Sequence, residues 1–317
     1  MMAFVTGANG FIGANVAKAL LDRGDEVVSV CHDLHPVTTA KLLGVEDKIT
    51  WVNGDVQDET LMKRIMGDYS VKTVYHFAAL PIVKMGAATC RPIFEVNFGG
   101  TLSICEAIRE QNANGGDVGL FYVATDKVYG PVNWGRKYLE DDPLNANAPY
   151  ETSKACADLT VRMYHSMKWI SRLAVVRPSN EYGPGDLNSR IIPNSIRCCL
   201  RGESPVIFDG MTYVREFTYV KDLASATLLI GDNLDKANGE AFNVGSGELR
   251  NQEQTIAEIL RHFPNSRSVF AKPPAWSRQE IPYQLLDSSK VHERFGWNPL
   301  WNFEDGIRDT VEWWKAQ

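Results

Sequence analysis

A tyrosine and a lysine four residues apart form a pair that could carry out acid–base chemistry. Tyr150 and Lys154 lie in a segment with helical periodicity, residues 150–167, so both side chains are expected on one face of a helix. A lysine ammonium near a phenol lowers the pKa of the phenol, and such a tyrosine can take up a proton near neutral pH. A tyrosine and a lysine that merely share an amphipathic helix are the alternative interpretation.

A second reactive group follows the fifth predicted strand, residues 119–124. Thr125, Asp126 and Lys127 place a hydroxyl, a carboxyl and an amine where that strand ends, and ligands bind at the carboxyl ends of strands in open α/β sheets. A buried aspartate–lysine pair without a chemical role would be costly to desolvate. We therefore predict that these three residues are catalytic, with a surface ion pair of Asp126 and Lys127 as the alternative.

Three glycines stand between the first predicted strand, residues 2–6, and the first predicted helix, residues 11–23. Their spacing is G-x-x-G-x-x-G, which differs from the G-x-G-x-x-G of the usual dinucleotide fold. A phosphate needs close approach of the backbone and free N–H groups at a helix N-terminus, and glycine permits both. The residues predicted to hold a pyrophosphate are Gly7, Asn9, Gly10, Phe11, Ile12 and Gly13.

An acidic residue near the end of the second predicted strand, residues 27–31, should hold the adenosine ribose. Asp33 stands twenty residues after Gly13 but lies beyond the strand end, and a solvated loop carboxylate is its alternative role. No arginine stands there to pair with a 2′-phosphate, so NAD is favoured and NADP is not excluded. Further cofactor contacts are predicted where the third and fourth strands end, at Asp55, Val56, Ala78 and Ala79.

The elements that must position these groups alternate along the first half of the chain. Strands are predicted at 2–6, 27–31, 49–53, 73–77, 119–124 and 173–177, and helices at 11–23, 58–66, 92–111 and 150–167. Such alternation implies an α/β fold with a doubly wound parallel sheet. After Pro178 loops rich in glycine and proline predict a smaller, irregular lobe. We assign 1–178 and about 220–245 to a cofactor domain, and 179–219 and 246–317 to a ligand lobe.

Composition narrows the class of partner. The 317 residues include 33 basic and 39 acidic side chains, which give a net charge of −6 and argue against a nucleic-acid partner. No apolar run approaches the roughly 18 residues of a membrane span, and the start of the chain does not resemble a signal peptide. Six cysteines without a C-x-x-C pair indicate free thiols, and the cytoplasm is expected. His32 and His35 lack further ligands at zinc spacing, so no metal is predicted.

Eight short motifs together resemble the extended short-chain dehydrogenase/reductases, specifically the nucleotide-sugar epimerases and dehydratases. They follow the family order along most of the chain. The motifs are TGANGFIG at 6–13, GDVQD at 54–58, HFAA at 76–79, VNFGGT at 96–101, TDKVYG at 125–130, PYETSK at 149–154, RPSNEYGPGD at 177–186 and REFTYVKD at 215–222. The resemblance implies a Rossmann-like fold, NAD as cofactor and a nucleotide-diphosphate hexose as substrate.

Within that family, Thr125-Asp126-Lys127 resembles the Asp-Lys version of the sugar 4,6-dehydratases. Residues 134–157 and 183–193 are most similar to the CDP-glucose 4,6-dehydratases. A nucleotide-sugar 4-epimerase or a related decarboxylase is the alternative, and a non-catalytic dinucleotide sensor is a further one. The carboxyl-terminal third matches less well, so the sugar and the nucleotide stay open.

The resemblance also implies a role for each residue. Tyr150 would take the proton from the sugar 4-hydroxyl, Lys154 would hold the cofactor ribose and keep Tyr150 ionised, and Thr125 would bind the 4-oxygen. Lys127 would remove the C5 proton, and Asp126 would protonate the departing 6-hydroxyl. Pro178 would contact the cofactor, and the predicted substrate contacts are Asn180, Arg190, Arg215 and Arg278. Family members commonly form homodimers through two long helices, here residues 92–111 and 150–167.

Overall fold

The computed structural model describes residues 1–33, 35–81, 90–131, 136–211, 213–274 and 281–317. The strands are β1 (Met2–Thr6), β2 (Glu26–Cys31), β3 (Thr50–Asn53), β4 (Thr73–His76), β5 (Gly119–Val123), β6 (Leu173–Pro178), β7 (Asn180–Tyr182), β8 (Val206–Phe208), β9 (Val214–Tyr219), β10 (Ala241–Val244), β11 (Leu249–Asn251), β12 (Val269–Ala271) and β13 (Tyr283–Gln284). The α-helices are α1 (Phe11–Asp22), α2 (Thr39–Leu42), α3 (Glu59–Asp68), α4 (Arg91–Phe94), α5 (Gly100–Ala113), α6 (Pro149–Ser166), α7 (Ile191–Leu200), α8 (Val220–Gly231), α9 (Leu234–Ala237), α10 (Gln252–Leu260), α11 (Ser289–Phe295) and α12 (Phe303–Lys315).

Seven parallel strands form the main sheet in the order β3-β2-β1-β4-β5-β6-β10. The strand order reverses between β1 and β4, and the crevice outside the carboxyl ends at such a point is where ligands bind in this kind of sheet. Buried apolar clusters line both faces, one including residues of α1 and α8 and the other residues of α3, α5 and α6. The predicted Rossmann-like, doubly wound fold is therefore confirmed.

The long helix predicted at residues 92–111 is divided in the structure. Between α4 and α5 lies a π-helical segment, Glu95–Gly99, and such segments often occur at functional positions. Asn97 within it is buried, accepts a hydrogen bond from the Leu80 N–H (2.7 Å) and donates one to the Ser153 hydroxyl (3.0 Å). The local widening thus orients a polar side chain between the end of β4 and helix α6.

A second sheet is built around β9. This strand is parallel to β7 and β13 and antiparallel to β11. The rings of Tyr182 on β7 and Tyr219 on β9 pack against each other. The loop that follows β7 contacts the amino-terminal helices, where Thr39 donates to the Gly185 carbonyl (2.8 Å) and Asn15 to the Pro184 carbonyl (3.2 Å). The division of the chain into two domains stays a prediction.

None of the helices in the described part of the chain is both long enough and apolar enough to cross a membrane.

Candidate active site

The glycine loop is so tight that side chains are excluded at two positions. Gly7 has φ +73°, and a Cβ there would lie 2.9 Å from the Ala78 nitrogen. A Cβ on Gly13 would lie 2.3 Å from the Gly7 carbonyl oxygen, which no real structure tolerates. The Gly10 N–H donates a hydrogen bond to the same Gly7 carbonyl (2.9 Å), which closes the turn. Gly7 and Gly13 therefore let helix α1 begin directly against the end of β1.

The start of α1 offers amide groups to an anion. Ala14 N–H donates to the Gly10 carbonyl (2.9 Å), so the amides of residues 11–13 have no partner within the helix. The first turn carries no acidic residue, and the helix dipole there favours negative charge. Asn9 donates to the Cys31 sulfur (3.2 Å), while its buried Oδ1 has no partner in the described chain. This cradle fits the pyrophosphate of a dinucleotide.

A buried network of neutral groups, not anticipated from the sequence, supports the loop. Thr6 lies 2.7 Å from His76 Nδ1, and Thr101 lies 2.9 Å from His76 Nε2. The Thr101 hydroxyl donates to the Asn97 carbonyl (2.7 Å), so it accepts the proton of Nε2, and His76 Nδ1 accepts from Thr6. Burial lowers the pKa of His76 to about 3, so the ring is neutral. All these residues lie within motifs quoted above, but the motifs do not reveal which side chains meet.

The residues predicted to hold the adenosine lie where strands end. Strand β2 ends at Cys31, so Asp33 lies two residues beyond it, and its side chain is 65% exposed beside His35. Asp55 accepts a hydrogen bond from the Gln57 N–H (2.9 Å) and lies 3.0 Å from His32. The two histidines therefore face carboxylates. Among the described residues, no group of three or more His, Cys, Asp or Glu side chains could hold a metal ion.

Four small or apolar residues line the same edge of the sheet. Val56 is buried, with the Gly100 backbone packed close to its side chain, since a Cβ on that glycine would lie 2.7 Å from Val56 Cγ1. The Ala78 N–H donates to Thr6 Oγ1 at 3.1 Å, and Ala79 is half-buried. Pro178 ends β6 in register with Val244. These small and apolar side chains thus lie at the carboxyl ends of the strands, where ligands bind in open α/β sheets.

Tyr150 and Lys154 both lie on α6, as predicted, but their electrostatics differ from the expectation. Burial raises the pKa of Tyr150 to about 12; Arg190 and the Thr125 hydroxyl act in the opposite direction, and the carboxyls of Glu181 and Asp126 reinforce the rise. Lys154 donates to the Val123 carbonyl (2.5 Å), and burial lowers its own pKa to about 7. The predicted lowering of the Tyr150 pKa is therefore not found in the chain alone, where desolvation of the phenol raises that pKa.

Thr125 and Asp126 lie just past the end of β5, at the start of a short 3-10 turn, Asp126–Tyr129. The Thr125 hydroxyl donates to Asp126 Oδ1 (3.1 Å), while the buried Oδ2 of Asp126 has no partner in the described chain. Burial raises the pKa of Asp126, although Lys127 and Arg215 oppose the rise. A carboxyl that resists ionisation is suited to donate a proton.

Lys127 follows in the same turn and is partly exposed. Its Nζ lies 3.9 Å from Glu151 Oε1, and the lysine side chain is 20% exposed against 8% for the glutamate. Glu151 immediately follows Tyr150 on α6. The surface-pair alternative for Asp126 and Lys127 is not found, because the Lys127 ammonium is instead near Glu151 and Asp126 is buried. Thr125, Asp126, Lys127 and Tyr150 are thus brought together.

Three of the four predicted substrate residues lie on the side of the second sheet. Asn180 on β7 donates to the Glu216 carbonyl (3.3 Å). Arg190 precedes α7 and donates to the Glu181 carbonyl (3.4 Å). Arg215 on β9 is buried, and its guanidinium lies 4.7 Å from the Tyr213 ring. Arg278 lies outside the described residues, as do Trp134 and Gly135 of the dehydratase-like segment.

Two buried glutamates in the site were missed by the sequence analysis. Burial raises the pKa of Glu181 to about 8 and that of Glu216 to about 7, and the charge of Asp126 contributes to both. Both stand inside motifs quoted above, at the second position after Ser179 and directly after Arg215. A motif match could have marked them as candidates, but their burial next to Asp126 requires the folded chain.

Comparison with known proteins decides the family. The sequence model of the NAD dependent epimerase/dehydratase family matches residues 3–245. The chain belongs to this family. The resemblance inferred from the motifs is confirmed, and so is NAD as the cofactor of the family.

Relatives in this family are similar over their full length. The chain is 33% identical to the low-salt glycan biosynthesis protein Agl12 of Haloferax volcanii, over 99% of this chain and 98% of that protein. It is 31% identical to a dTDP-glucose 4,6-dehydratase of Mycolicibacterium smegmatis, over 100% of this chain and 94% of the relative.

The solved structures that are similar to this chain include both dehydratases and epimerases. A dTDP-glucose 4,6-dehydratase of Streptomyces venezuelae, solved with NAD, superposes with a TM-score of 0.86 at 27% identity, covering 100% of this chain and 98% of that one. A UDP-glucose 4-epimerase of Thermus thermophilus, in complex with NAD, gives 0.87 at 26%, covering 100% and 99%. The fold is thus shared by dehydratases and epimerases, and the choice between them depends on the site.

Proposed function

We propose that the protein is an NAD-dependent nucleotide-sugar 4,6-dehydratase, a lyase that forms a 4-keto-6-deoxy sugar nucleotide. The observation that carries the proposal is the carboxyl of Asp126 and the amine of Lys127 in one turn beside Thr125, whose hydroxyl lies close enough to Tyr150 to affect its pKa. An epimerase shares the tyrosine, the lysine of α6 and NAD but does not need this acid–base pair. The relatives named for dTDP-glucose 4,6-dehydratase support the same conclusion.

The glycine loop and the unpartnered Asn9 Oδ1 fit a bound dinucleotide, as described above. Gly7, Gly10 and Gly13 would admit the pyrophosphate, Asp33 would bind the adenosine ribose, and Lys154 would bind the second ribose. The chemistry that bound NAD would supply is hydride transfer: a hydride would be accepted from C4 of the sugar, and the same hydride would be returned to C6. The residues of the chain then have to move protons and hold the sugar.

Proton removal from the 4-hydroxyl is assigned to Tyr150. Thr125 would hydrogen-bond the same oxygen, since its hydroxyl already lowers the pKa of Tyr150. Arg190 lowers that pKa as well, and both effects favour the phenolate against the larger effect of burial. Proton transfer by a positioned side chain typically contributes about 10²- to 10⁴-fold to a rate.

Loss of water across C5 and C6 is assigned to the pair in the turn after β5. Lys127 would take the C5 proton, which the 4-ketone makes acidic, and Glu151 at 3.9 Å would stabilise the resulting ammonium. Asp126 would give its proton to the departing 6-hydroxyl, a role that the raised pKa of its buried carboxyl favours. The carbon–oxygen bond at C6 breaks as the C5–C6 double bond forms.

The substrate is a nucleotide-diphosphate hexose. Arg190 and Arg215 suit the diphosphate because a guanidinium donates two hydrogen bonds from a planar fork. Asn180 would assist them, and Arg278 remains a prediction outside the described residues. The CDP-glucose-like motifs and the dTDP-glucose relatives point to different nucleotides, so the base is left to experiment.

The deciding experiment is incubation of the NAD-loaded protein with the dTDP, UDP, CDP and GDP forms of glucose, followed by mass spectrometry. A dehydratase yields a product lighter by one water. An unchanged mass with a changed configuration at C4 would replace the proposal with a 4-epimerase. No conversion of any of these hexoses, with NAD bound, would overturn both.

We also propose a homodimer formed through the long helices. Apolar side chains are exposed along them, including Leu102 on α5 and Leu159 and Met163 on α6. Light scattering after size exclusion should give twice the chain mass for the wild type and a single chain mass for Leu159→Glu. A monomeric wild type would overturn this proposal. The cytoplasmic location predicted from the sequence remains a prediction.

A further inference from the structure

Two glutamates on one face of the second sheet differ in how their carboxyl oxygens are satisfied. Glu181 on β7 is in register with Thr218 on β9, and Glu216 lies two residues before Thr218, so all three side chains point to the same face. The Glu216 oxygens accept hydrogen bonds from the Gly247 N–H (2.6 Å) and the Leu286 N–H (2.9 Å). Glu216 therefore has a structural role that its hydrogen bonds account for.

One carboxyl oxygen of Glu181 lacks such a partner. The residue is 6% exposed, and its Oε2 lies 3.9 Å from Arg190 Nη1. Its Oε1 is buried without a hydrogen-bond partner in the described chain. Burying a carboxyl oxygen in this way is costly, and a native structure that keeps such an atom calls for a specific reason.

Charged residues from several elements of the candidate site surround the Glu181 carboxyl. Arg190 precedes α7, Asp126 lies in the turn after β5, Asp186 lies in the loop after β7, and all three charges affect the Glu181 carboxyl. The charge of Glu181 in turn affects Tyr150 on α6. The unsatisfied oxygen thus lies at the reaction end of the site and not on the cofactor loop.

We propose that Glu181 is a substrate-binding residue of the sugar subsite, whose Oε1 makes a hydrogen bond to a hydroxyl of the hexose while Arg190 holds the other side of the carboxyl. This inference rests on the proposed nucleotide-hexose substrate. A phosphate is excluded as the partner, because a carboxylate repels it and a neutral carboxyl competes poorly with the nearby arginine. A sugar hydroxyl can accept a hydrogen bond from a protonated carboxyl and can donate one to an ionised carboxyl.

The protonation state gives the direction of the hydrogen bond. Burial and the negative charges of Asp126 and Asp186 raise the pKa of Glu181 to about 8, against the opposing charge of Arg190. Near neutral pH the carboxyl is therefore protonated and donates its O–H to the sugar oxygen. Above that pH the ionised group has no proton to donate, so the O–H···O bond to the sugar oxygen is lost.

The test separates the sugar from the rest of the ligand. Calorimetry on the NAD-loaded protein compares each nucleoside diphosphate (dTDP, UDP, CDP) with its glucose ester, and the ratio of the two affinities isolates the contribution of the hexose. Glu181→Ala should reduce that ratio by about tenfold while leaving the affinity for the free nucleoside diphosphate within about twofold. Glu140→Gln, at a partly buried carboxyl that accepts a hydrogen bond from the Asn243 N–H, is the control and should leave both unchanged.

Glu181→Gln keeps the shape of the side chain and replaces the carboxyl O–H donor by an amide N–H donor. It therefore provides the test if the alanine variant folds poorly. Its hexose ratio should stay within about threefold of wild type near pH 7 and remain flat with pH, whereas the wild-type ratio should fall as the pH rises through about 8. A hexose ratio unaffected by Glu181→Ala, or a wild-type ratio independent of pH, would overturn the inference while wild-type dehydration continues. Absence of any dehydration by the wild type would instead overturn the proposed function.

Discussion

The two ends of the candidate active site are built from different kinds of polar group. At the cofactor end, Thr6, His76 and Thr101 are buried, neutral and hydrogen-bonded to one another. At the reaction end, Asp126 and Glu181 are buried carboxyls whose pKa values are raised and which each keep one oxygen without a partner in the described chain. One end is completed by the chain itself, and the other leaves positions for a ligand.

This difference predicts a separation of stability from chemistry. A fully satisfied buried network rigidifies the fold, so changes at the cofactor end should lower the free energy of unfolding. Buried unsatisfied carboxyls destabilise the fold, so changes at the reaction end should reduce turnover while stability is kept or improved.

Tyr150→Phe should remove the first proton transfer and stop hydride transfer from C4. We expect a loss of about 10³- to 10⁴-fold in kcat, with the melting temperature within a few degrees of wild type, because the phenyl ring fills the same space. Stopped-flow absorbance of the reduced nicotinamide measures the step directly. Wild-type turnover in this variant would contradict the assignment of Tyr150 as the base.

Lys127→Met should abolish loss of water and leave NAD content and stability unchanged. The expected decrease in dehydration is about 10²- to 10³-fold, since the C5 proton is then removed only by solvent. Mass spectrometry of the product measures it, with the exposed Lys48→Met as a control that should behave as wild type. Full formation of the 4-keto-6-deoxy product would remove Lys127 from the mechanism.

The two ends also differ in how far the sequence could predict them. The glycine spacing correctly indicated the turn after β1, because Gly7 and Gly13 are required by backbone contacts that any side chain would break. Strand and helix alternation correctly gave the sheet, because short strand-forming segments and helical segments follow one another along the first half of the chain. The contacts of His76 with Thr6 and Thr101 join residues far apart in the chain, and no local pattern encodes them.

At the reaction end, the residue types were predictable but their electrostatics were not. Y-x-x-x-K placed Tyr150 and Lys154 on one helix correctly, yet the pKa of Tyr150 depends on how deeply the phenol is buried. Glu181 and Glu216 acquire their raised pKa values from burial and from Asp126, a neighbour only in the folded chain. The π-helical segment around Asn97 was missed because its residues are compatible with an ordinary helix.

Gly13→Ala tests the cofactor end. The added Cβ would meet the Gly7 carbonyl at 2.3 Å, and neither backbone can move without displacing α1 from β1. We expect a loss of about 3 kcal/mol in the free energy of unfolding and loss of NAD from the purified protein. Urea denaturation and the absorbance of released cofactor measure the two effects.

The matched control is Gly67→Ala on α3, where an added Cβ meets nothing within 4 Å. This variant should have a free energy of unfolding about 0.5–1 kcal/mol higher than that of the wild type. If Gly13→Ala were as stable as this control, the contribution of the tight loop would have to be abandoned.

Thr101→Val tests the neutral network at smaller scale. It leaves the buried His76 Nε2 without its acceptor and should lower the free energy of unfolding by about 1–3 kcal/mol. Thr227→Val is the matched control, because Thr227 is also buried and its hydroxyl donates to the Leu223 carbonyl four residues earlier (2.8 Å), as Thr101 does to Asn97. Equal destabilisation of the two variants would mean that the contact with His76 adds nothing.

The smallest expected effect concerns stability and pH at Glu181. Its pKa is raised from 4.5 to about 8 in the folded chain, so between these values the folded state holds a proton that the unfolded state has released. The stability contributed by Glu181 is therefore present at low pH and is lost as the pH rises towards 8. Glu181→Gln cannot ionise, and its stability relative to wild type should increase by about 1–3 kcal/mol between pH 5 and pH 8.5.

Urea denaturation of both proteins across this pH range measures the difference, in which the contributions of other titrating groups such as His76 and Lys154 cancel. The exposed Glu293→Gln is the control and should give a flat difference from wild type. A flat difference for Glu181→Gln as well would show that this carboxyl ionises normally in the fold. The reaction end would then carry no stored electrostatic cost at Glu181, and the contrast with the cofactor end would rest on Asp126 alone.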